Sequence, residues 1–295
     1  MQPRTPLFRA RRSLAAVVVA LPLVLAGCST AAVPAGPAAA PPSAPAVGHV
    51  HGIFVDPATA KIFLATHDGL YDATTKTPAK VSDTIDLMGF TPAATPKVFY
   101  ASGHPGAGSS LPNPVGLIRS TDAGKTWQEV SRGRQSDFHA LTTTGGGLVA
   151  FDGQLRTSSD GITWQTSTAA FAPAVLAGSP ASTVVLATTQ DGVQRSTDGG
   201  KNWKPVPGSP IIQFAAFATS AEKAPTEAVG VAPDGTVHVS TDAGLTWRAS
   251  GKVTGQVEAV TAQEGGAGTP RIWAATTSGV QVSTDGGATF APAAS

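Results

Sequence analysis

Histidine side chains are the clearest candidates for chemistry in this sequence, because imidazole binds transition metals and exchanges protons near neutral pH. Five of the six histidines lie before residue 140, and His238 lies far from them. The five are His49, His51, His67, His104 and His139. Their crowding predicts a shared site.

Three short segments around these histidines align without gaps, as repeated strands would. They cover residues 49–53, 86–90 and 137–141. The first aligned position holds His49, Asp86 and Asp137, and the third holds His51, Met88 and His139. Residues two apart point to the same side of a strand, so both positions are expected to face a central channel.

This set of side chains favours a soft or borderline metal ion. Two imidazoles and a thioether suit copper, and added carboxylates also allow zinc or iron. The predicted ligands are His49, His51, His67, Met88, His104, Asp137 and His139. Since the imidazoles must be neutral to bind, binding is expected to weaken below about pH 6. A cluster that merely lines a wet channel or orients loops is the structural alternative.

The elements that would position these residues are repeated along the chain. One octet, Ser120–Trp127, has close copies, and the copies contain Asp122, Asp160, Asp198, Asp242 and Asp285. Successive aspartates are 38, 38, 44 and 43 residues apart. In each copy the carboxylate can accept backbone N–H groups, glycine can adopt positive φ, and the aromatic residue can pack between sheets. We therefore expect these five aspartates to be structural.

The octets resemble the Asp-box of the BNR-repeat β-propellers, a group that includes sialidases, sortilin-type receptors and photosystem assembly factors. The resemblance covers five of the six repeat units. Short β-branched and aromatic runs between Gly, Asp and Pro turns also fit strands. We predict an all-β fold, a six-bladed β-propeller of four-stranded antiparallel blades with Asp-box turns, with seven blades as the alternative.

Loops in a propeller alternate between two faces. The Asp-boxes belong to the turn between the third and fourth strands, on one face. The aligned segments begin the inner strands on the other face, and His67 and His104 are predicted in turns between second and third strands there. The histidines and aspartates should therefore converge on the face opposite to the boxes, over half of the ring.

Residues 1–27 have the layout of a secretory signal, with a basic start and an apolar stretch. The segment ending in Leu25-Ala26-Gly27-Cys28 resembles the lipobox of bacterial lipoproteins. That resemblance implies lipid attachment at Cys28 and an extracytoplasmic protein anchored to the cell membrane. Residues 28–47 are rich in Ala and Pro and are predicted to be a tether, whereas 48–295 are predicted to form the propeller.

Charge excludes one class of partner. Without the four arginines of the predicted signal, 16 basic and 19 acidic residues remain. A mildly acidic domain lacks the basic surface that nucleic acids require, so we expect no nucleic-acid partner. A small ligand or another exported protein remains a possible partner.

The resemblance to sialidases raises the question of glycoside hydrolysis, and bacterial proteins of this type often carry glycosyl hydrolase names. The Phe/Tyr-Arg-Ile-Pro motif of sialidases is absent here, and no arginine lies between Arg12 and Arg119. A conventional carboxylate pair would have to come from Asp86, Asp137 and Glu258. We favour a non-enzymatic propeller that binds a metal or small polar ligand, with a glycan hydrolase and a protein-binding scaffold as alternatives.

Overall fold

The computed structural model describes residues 47–219, 223–265 and 269–293. All of them belong to one compact unit, Ala44–Ser295. The predicted signal, Cys28 and nearly all of the predicted tether lie outside the described residues. Among the described residues, none forms a helix long and apolar enough to cross a membrane.

The described residues form only β-structure, and four of the sheets contain four consecutive antiparallel strands. The first sheet consists of β1 (Val50–Val55), β2 (Ile62–Thr66), β3 (Gly69–Asp72) and β4 (Ala79–Lys80). The second consists of β5 (Ile85–Pro92), β6 (Phe99–Pro105), β7 (Leu117–Ser120) and β8 (Gln128–Ser131). The third consists of β9 (Ala140–Thr144), β10 (Gly147–Phe151), β11 (Leu155–Ser158) and β12 (Gln165–Thr166). The fourth consists of β13 (Val175–Ser179), β14 (Ser182–Thr189), β15 (Gly192–Ser196) and β16 (Lys204–Pro205).

The fifth sheet has eight strands, in the order β20-β19-β18-β17-β21-β22-β23-β24. Its first half is β17 (Phe214–Thr219), β18 (Ala228–Val231), β19 (Thr236–Ser240) and β20 (Arg248–Lys252). Its second half is β21 (Val257–Gln263), β22 (Arg271–Thr276), β23 (Gly279–Ser283) and β24 (Ala291–Pro292). The halves meet through parallel pairing of β17 with β21, which joins Ala218 to Ala262 and Thr219 to Gln263. Each half has the strand order of one smaller sheet.

The strands β1, β5, β9, β13, β17 and β21 contact one another in that order, and β21 contacts β1. These inner strands therefore close a ring, with the remaining strands of each sheet outside it. Hydrophobic clusters fill the spaces between successive four-strand groups. This propeller-like arrangement confirms the predicted all-β class and the four-stranded antiparallel sheets.

The Asp-boxes form compact turns between the third and fourth strands of their groups. In the first box, the Asp122 carboxylate accepts the backbone N–H of Thr126 at 3.0 Å, and the Ser120 hydroxyl accepts the N–H of Gly124 at 2.8 Å. Gly124 has φ +83°, which an L-residue rarely adopts. The box aromatic Trp127 packs on the cluster between the first two sheets. Five repeated turns of this kind thus fix the outer strands onto the ring.

Two local predictions were wrong. Strand β9 begins only at Ala140, so Asp137 and His139 precede the strand instead of beginning it. His104 lies within β6 instead of in the turn that follows. In both segments hydrophobicity alone did not indicate where the ladder of backbone hydrogen bonds starts or stops.

Candidate functional site

Bulges in the inner strands position the first functional side chains. The register between β1 and β2 shifts between Val50 and Gly52, which leaves His51 at the bulge. Equivalent shifts occur around Met88 in β5 and around Glu258 in β21. A bulge adds a residue to one strand and turns its side chain out of the regular alternation. His51, Met88 and Glu258 therefore each lie at a β-bulge, and all three line the central cavity.

The central cavity has a volume of about 390 Å³ and opens at the start of the inner strands. All six inner-strand segments contribute to its wall. The lining residues that could bind a ligand or exchange a proton are His49, His51, Met88, His139 and Glu258. Ala174 and Ala215 occupy the position of His51 in two other strand groups. The imidazole, carboxylate and thioether groups of the wall therefore lie on one side of the ring, although Gln213 lines the other side.

His51, His67 and Asp86 bring three potential ligand atoms together at the boundary between the first and second sheets. His51 Nε2 lies 3.2 Å from His67 Nδ1 and 3.7 Å from Asp86 Oδ1. His67 Nδ1 lies 2.8 Å from the same Asp86 oxygen. His51 comes from β1, His67 from the β2–β3 turn, and Asp86 from β5. The triad therefore spans two sheets.

Asp137 joins a second pair of histidines one sheet further along the ring. Its Oδ2 lies 2.7 Å from His139 Nε2 and 3.1 Å from His104 Nε2. The other nitrogen of His104 lies 2.8 Å from Asn113 Oδ1. Among the contacts of the described residues, Asp137 Oδ1 is buried without a hydrogen-bond partner. This group therefore repeats the contact between imidazole and carboxylate that His67 makes with Asp86.

His49 makes a third imidazole–carboxylate contact, across the junction of the last and first strand groups. Its Nδ1 lies 2.7 Å from Glu258 Oε1, and the rings of His49 and His51 are 4.9 Å apart. The Glu258 side chain is largely buried, whereas that of His49 is half exposed. The pair extends the cluster to the closing junction of the ring.

Two histidines of the cluster, the buried His51 and the half-exposed His104, have pKa values shifted in opposite directions. Burial, followed by the neighbouring imidazoles of His67 and His49, lowers the pKa of His51 to about 4, against the opposing charge of Asp86. The hydrogen bond to Asn113 raises the pKa of His104, against burial, and the charge of Asp137 adds to the rise. His51 is thus neutral at neutral pH, with a lone pair available for a cation.

The triad of His51, His67 and Asp86 matches the spacing of ligands around one metal ion. Ligand atoms about 2.1 Å from a metal lie about 3.0 Å apart at right angles and about 3.4 Å apart at the tetrahedral angle. The three observed separations scatter around those values.

The structure brings every predicted polar site residue to one face, but not in the predicted layers. Asp86 and Asp137 are absent from the described residues that line the cavity. Asp86 contacts two histidines of the first sheet, because the bulge at Met88 breaks the strand alternation on which the predicted layers depended. Asp137 precedes β9, so that alternation does not apply to it, and it contacts His104 and His139. Asn113 was not predicted at all, since its segment shows no repeat pattern that would align it with His104.

A second cavity, of about 410 Å³, lies at the opposite ends of the inner strands. Its lining is mainly apolar and includes Phe54, Phe63 and Phe99, with Pro92 and Ala123. Ala123 belongs to an Asp-box, so the boxes and this cavity share the face opposite to the histidines, as predicted from the propeller resemblance.

Comparisons with known proteins agree with this architecture. A family profile for the BNR/Asp-box repeat matches residues 194–205, which contain the third box. No curated protein matches the sequence significantly.

Solved structures give the broader likeness. The GH74 enzyme of Niastella koreensis has a TM-score of 0.56 at 19% identity, over 83% of this chain and 37% of its own. An ancestral GH74 enzyme, AFV00434, has a TM-score of 0.51 at 14% identity, over 82% of this chain and 37% of its own. The chain thus spans 37% of the length of either enzyme. YCF48 bound to D1 peptide has a TM-score of 0.50 at 16% identity, over 83% of this chain and 82% of its own.

These likenesses are too distant to show more than the fold. Together with the repeated octets and the sheets around a closed ring of inner strands, they establish the architecture. The chain has a β-propeller fold, and its turns resemble the BNR/Asp-box repeat that matches residues 194–205.

Proposed function

We propose that this propeller binds a divalent transition-metal ion through His51, His67 and Asp86. The convergence of their three ligand atoms within 3.7 Å of one another carries the proposal. The low pKa of His51 supports it, because a neutral imidazole needs no deprotonation before it binds. Asp137 and its two histidines lie beside the triad and would bind the outer coordination sphere or a ligand of the ion.

Copper is the ion that we propose first, with zinc as the alternative. Nitrogen and oxygen ligands bind Cu²⁺ more tightly than the other divalent first-row metals. Met88, whose thioether also suits copper, lines the cavity next to His51. The Asp86 carboxylate is equally compatible with zinc, so the choice of metal depends on a direct measurement.

We also propose that the ring has six blades, with the eight-stranded sheet counted as two. The two-residue parallel pairing of β17 with β21 is short, and each half repeats the order of the four-stranded sheets. An experimental density map with seven radial sheets would contradict this count.

The metal proposal is tested by loading the full chain with Cu²⁺ or Zn²⁺ at pH 7.5 and measuring bound metal after gel filtration. We expect about one ion per chain. The substitutions His67→Ala and Asp86→Asn should each weaken binding by at least about tenfold, because even the loss of an outer-shell partner of a ligand costs about 10–100-fold. His238→Ala is the matched control, because His238 lies in β19, away from the cluster, and should bind like the parent.

Two outcomes would contradict the metal proposal. One is a parent protein that retains no stoichiometric metal of any kind. The other is equal metal affinity in His67→Ala, Asp86→Asn and the parent, which would place the ion elsewhere.

A glycoside hydrolase remains the second candidate, because two structural neighbours are named GH74 enzymes. The candidate carboxylates Asp86, Asp137 and Glu258 are each hydrogen-bonded to an imidazole. Carboxylate–imidazole pairs occur in catalytic and in metal-binding sites, so the hydrolase rests on the names of two distant neighbours and is the less supported candidate. Turnover of chromogenic glycosides that disappears in Asp137→Asn would favour it over metal binding alone.

A protein-binding scaffold is the third candidate, and its support is the apolar cavity beside Phe54 and Phe99. One structural neighbour is described as bound to a peptide. Extended peptides that bind the parent but not Phe54→Ser would favour this function. Membrane anchoring through Cys28 stays a prediction from the sequence.

A further inference from the structure

Two glutamates lie on opposite sides of the end of β17, on the face of the boxes. The backbone carbonyl of Glu227 accepts the N–H of Ala218 at 2.9 Å. The N–H of Glu264 donates to the carbonyl of Thr219 at 3.0 Å. These bonds fix both glutamates at neighbouring positions of the junction between β17 and β21, far from the histidine cluster at the other ends of the strands.

Each of the two carboxylates has one buried oxygen without a hydrogen-bond partner among the described residues. Glu227 is only 6% exposed, and its Oε2 has no hydrogen-bond partner in the described part of the chain. Oε1 of Glu264 is likewise buried and, within the same residues, without a partner. A carboxylate that loses its water without gaining a partner strongly destabilises the folded state. Two such oxygens at one junction therefore indicate a missing positive group.

Charges on the protein satisfy this pair only in part. Lys223 Nζ lies 3.5 Å from Glu264 Oε2, but the lysine side chain is 72% exposed and approaches the other oxygen of that carboxylate. Burial raises the pKa of Glu227, the backbone N–H of Gly265 opposes the rise, and the charge of Glu264 adds to it. The charge of Glu264 therefore adds to the cost of a negative charge on Glu227.

We propose that Glu227 and Glu264 bind a hard divalent cation, with Ca²⁺ as the best match, at a site separate from the histidine cluster. Carboxylate oxygens are the preferred ligands of Ca²⁺, which accepts irregular geometry and completes its shell with backbone carbonyls and water. Since only two carboxylates contribute, the affinity should lie in the weak range of about 0.1–1 mM that is typical of extracellular modules.

The experiment is a titration of the full chain with CaCl₂ after treatment with a chelator, followed by calorimetry and by thermal unfolding. The parent should bind one Ca²⁺ saturably, and its unfolding midpoint should rise with Ca²⁺ concentration. Glu227→Gln and Glu264→Gln should each weaken binding at least about tenfold. Asp234→Asn is the matched control, because Asp234 is an exposed carboxylate in the same strand group, beside Lys252.

A reversal of the order of stability gives an independent readout. Without Ca²⁺, Glu227→Gln should unfold at a higher temperature than the parent, because the amide is uncharged. With saturating Ca²⁺ the parent should be the more stable protein.

Three results would overturn the proposal. The first is that no saturable binding occurs up to 5 mM CaCl₂, which is well above the expected range. The second is that the parent and both glutamine variants bind Ca²⁺ equally. The third is that Ca²⁺ does not change which of the parent and Glu227→Gln is the more stable. The last would show a proton shared between the glutamates. His51→Ala should bind Ca²⁺ like the parent, so failure of the metal proposal at the histidines leaves this one standing.

Discussion

At the scale of single residues, the cluster consists of carboxylates that each contact at least one imidazole from a neighbouring strand group. Asp86 and Asp137 occupy equivalent repeat positions, and each lies close to two histidines. The same contact between a carboxylate and imidazoles thus occurs in two successive repeats. The surroundings of the histidines differ between the two groups. His51 is buried among other imidazoles, whereas His104 has oxygen acceptors at both nitrogens. One histidine is therefore held neutral and the other favours its charged form.

The low pKa of His51 predicts a loss of stability in mild acid. Its pKa is about 4 in the folded protein and 6.5 in the unfolded chain. Between those values the unfolded chain binds more protons, so the free energy of unfolding must fall as the pH falls through this window. From pH 7 to pH 4.5 the loss should be on the order of 2 kcal/mol. Urea unfolding of metal-free protein at both pH values measures it.

The substitution His51→Gln should remove most of that difference between the two pH values. His139→Gln is the matched control, since its imidazole belongs to the same cluster but is 60% exposed, and it should keep the parent's pH dependence. If His51→Gln loses as much stability in acid as the parent, the acid sensitivity belongs to other groups. The Asp-box carboxylates do not titrate in this pH window. Hydrogen bonds from Thr289, for example, lower the pKa of Asp285 to about 2.

At the scale of elements, the octets predicted the box turns, whereas strand periodicity did not predict the bulges. Each octet contains its own turn, with an aspartate, a serine and a positive-φ glycine, so local sequence is sufficient. The bulges at His51 and Glu258 depend on pairing with the next strand, which a single strand does not reveal. For the same reason the sequence predicted that the histidines converge but not which carboxylate each one contacts. Apart from His139 with Asp137, those contacts cross from one strand group to the next.

The box glycine gives a prediction at this scale. Gly124 has φ +83°, and an added Cβ would lie well inside contact distance of the fully buried Leu70. Gly124→Ala should therefore combine the conformational penalty of positive φ with overpacking, and destabilise by about 2–4 kcal/mol. The measurement is the free energy of unfolding in urea.

Gly108→Ala separates the two effects. Gly108 has nearly the same φ, +80°, but nothing lies within 4 Å of its added Cβ. It should lose only about 1 kcal/mol. If both variants lose the same free energy of unfolding, the box turn must shift enough to accommodate the added methyl group without disturbing the interface between the first two sheets.

At the scale of the whole molecule, the ring closes through side chains. The first sheet and the β21–β24 group meet in one cluster, which contains Val50, Ile53, Val55 and Ile62 from one side and Ala259, Trp273 and Ala275 from the other. Few polar contacts assist it, among them Gln263 Nε2 donating to the Val55 carbonyl at 3.1 Å. Among the described residues, no strand of the first sheet pairs with a strand of the β21–β24 group. Burial of apolar surface must therefore hold the two ends of the ring together.

Neighbouring residues of β22 make this closure testable, because they face different junctions. Trp273 packs in the closing cluster, whereas Ile272 packs between β17–β20 and β21–β24. Both are nearly or fully buried, so Trp273→Ala and Ile272→Ala should each destabilise by about 3–4 kcal/mol. Native-state hydrogen exchange distinguishes them: amides of β1 should exchange faster in Trp273→Ala, and amides of β18 and β19 in Ile272→Ala. If both variants speed exchange in the same strands, the ring opens as one unit, and the closing junction is no separate point of weakness.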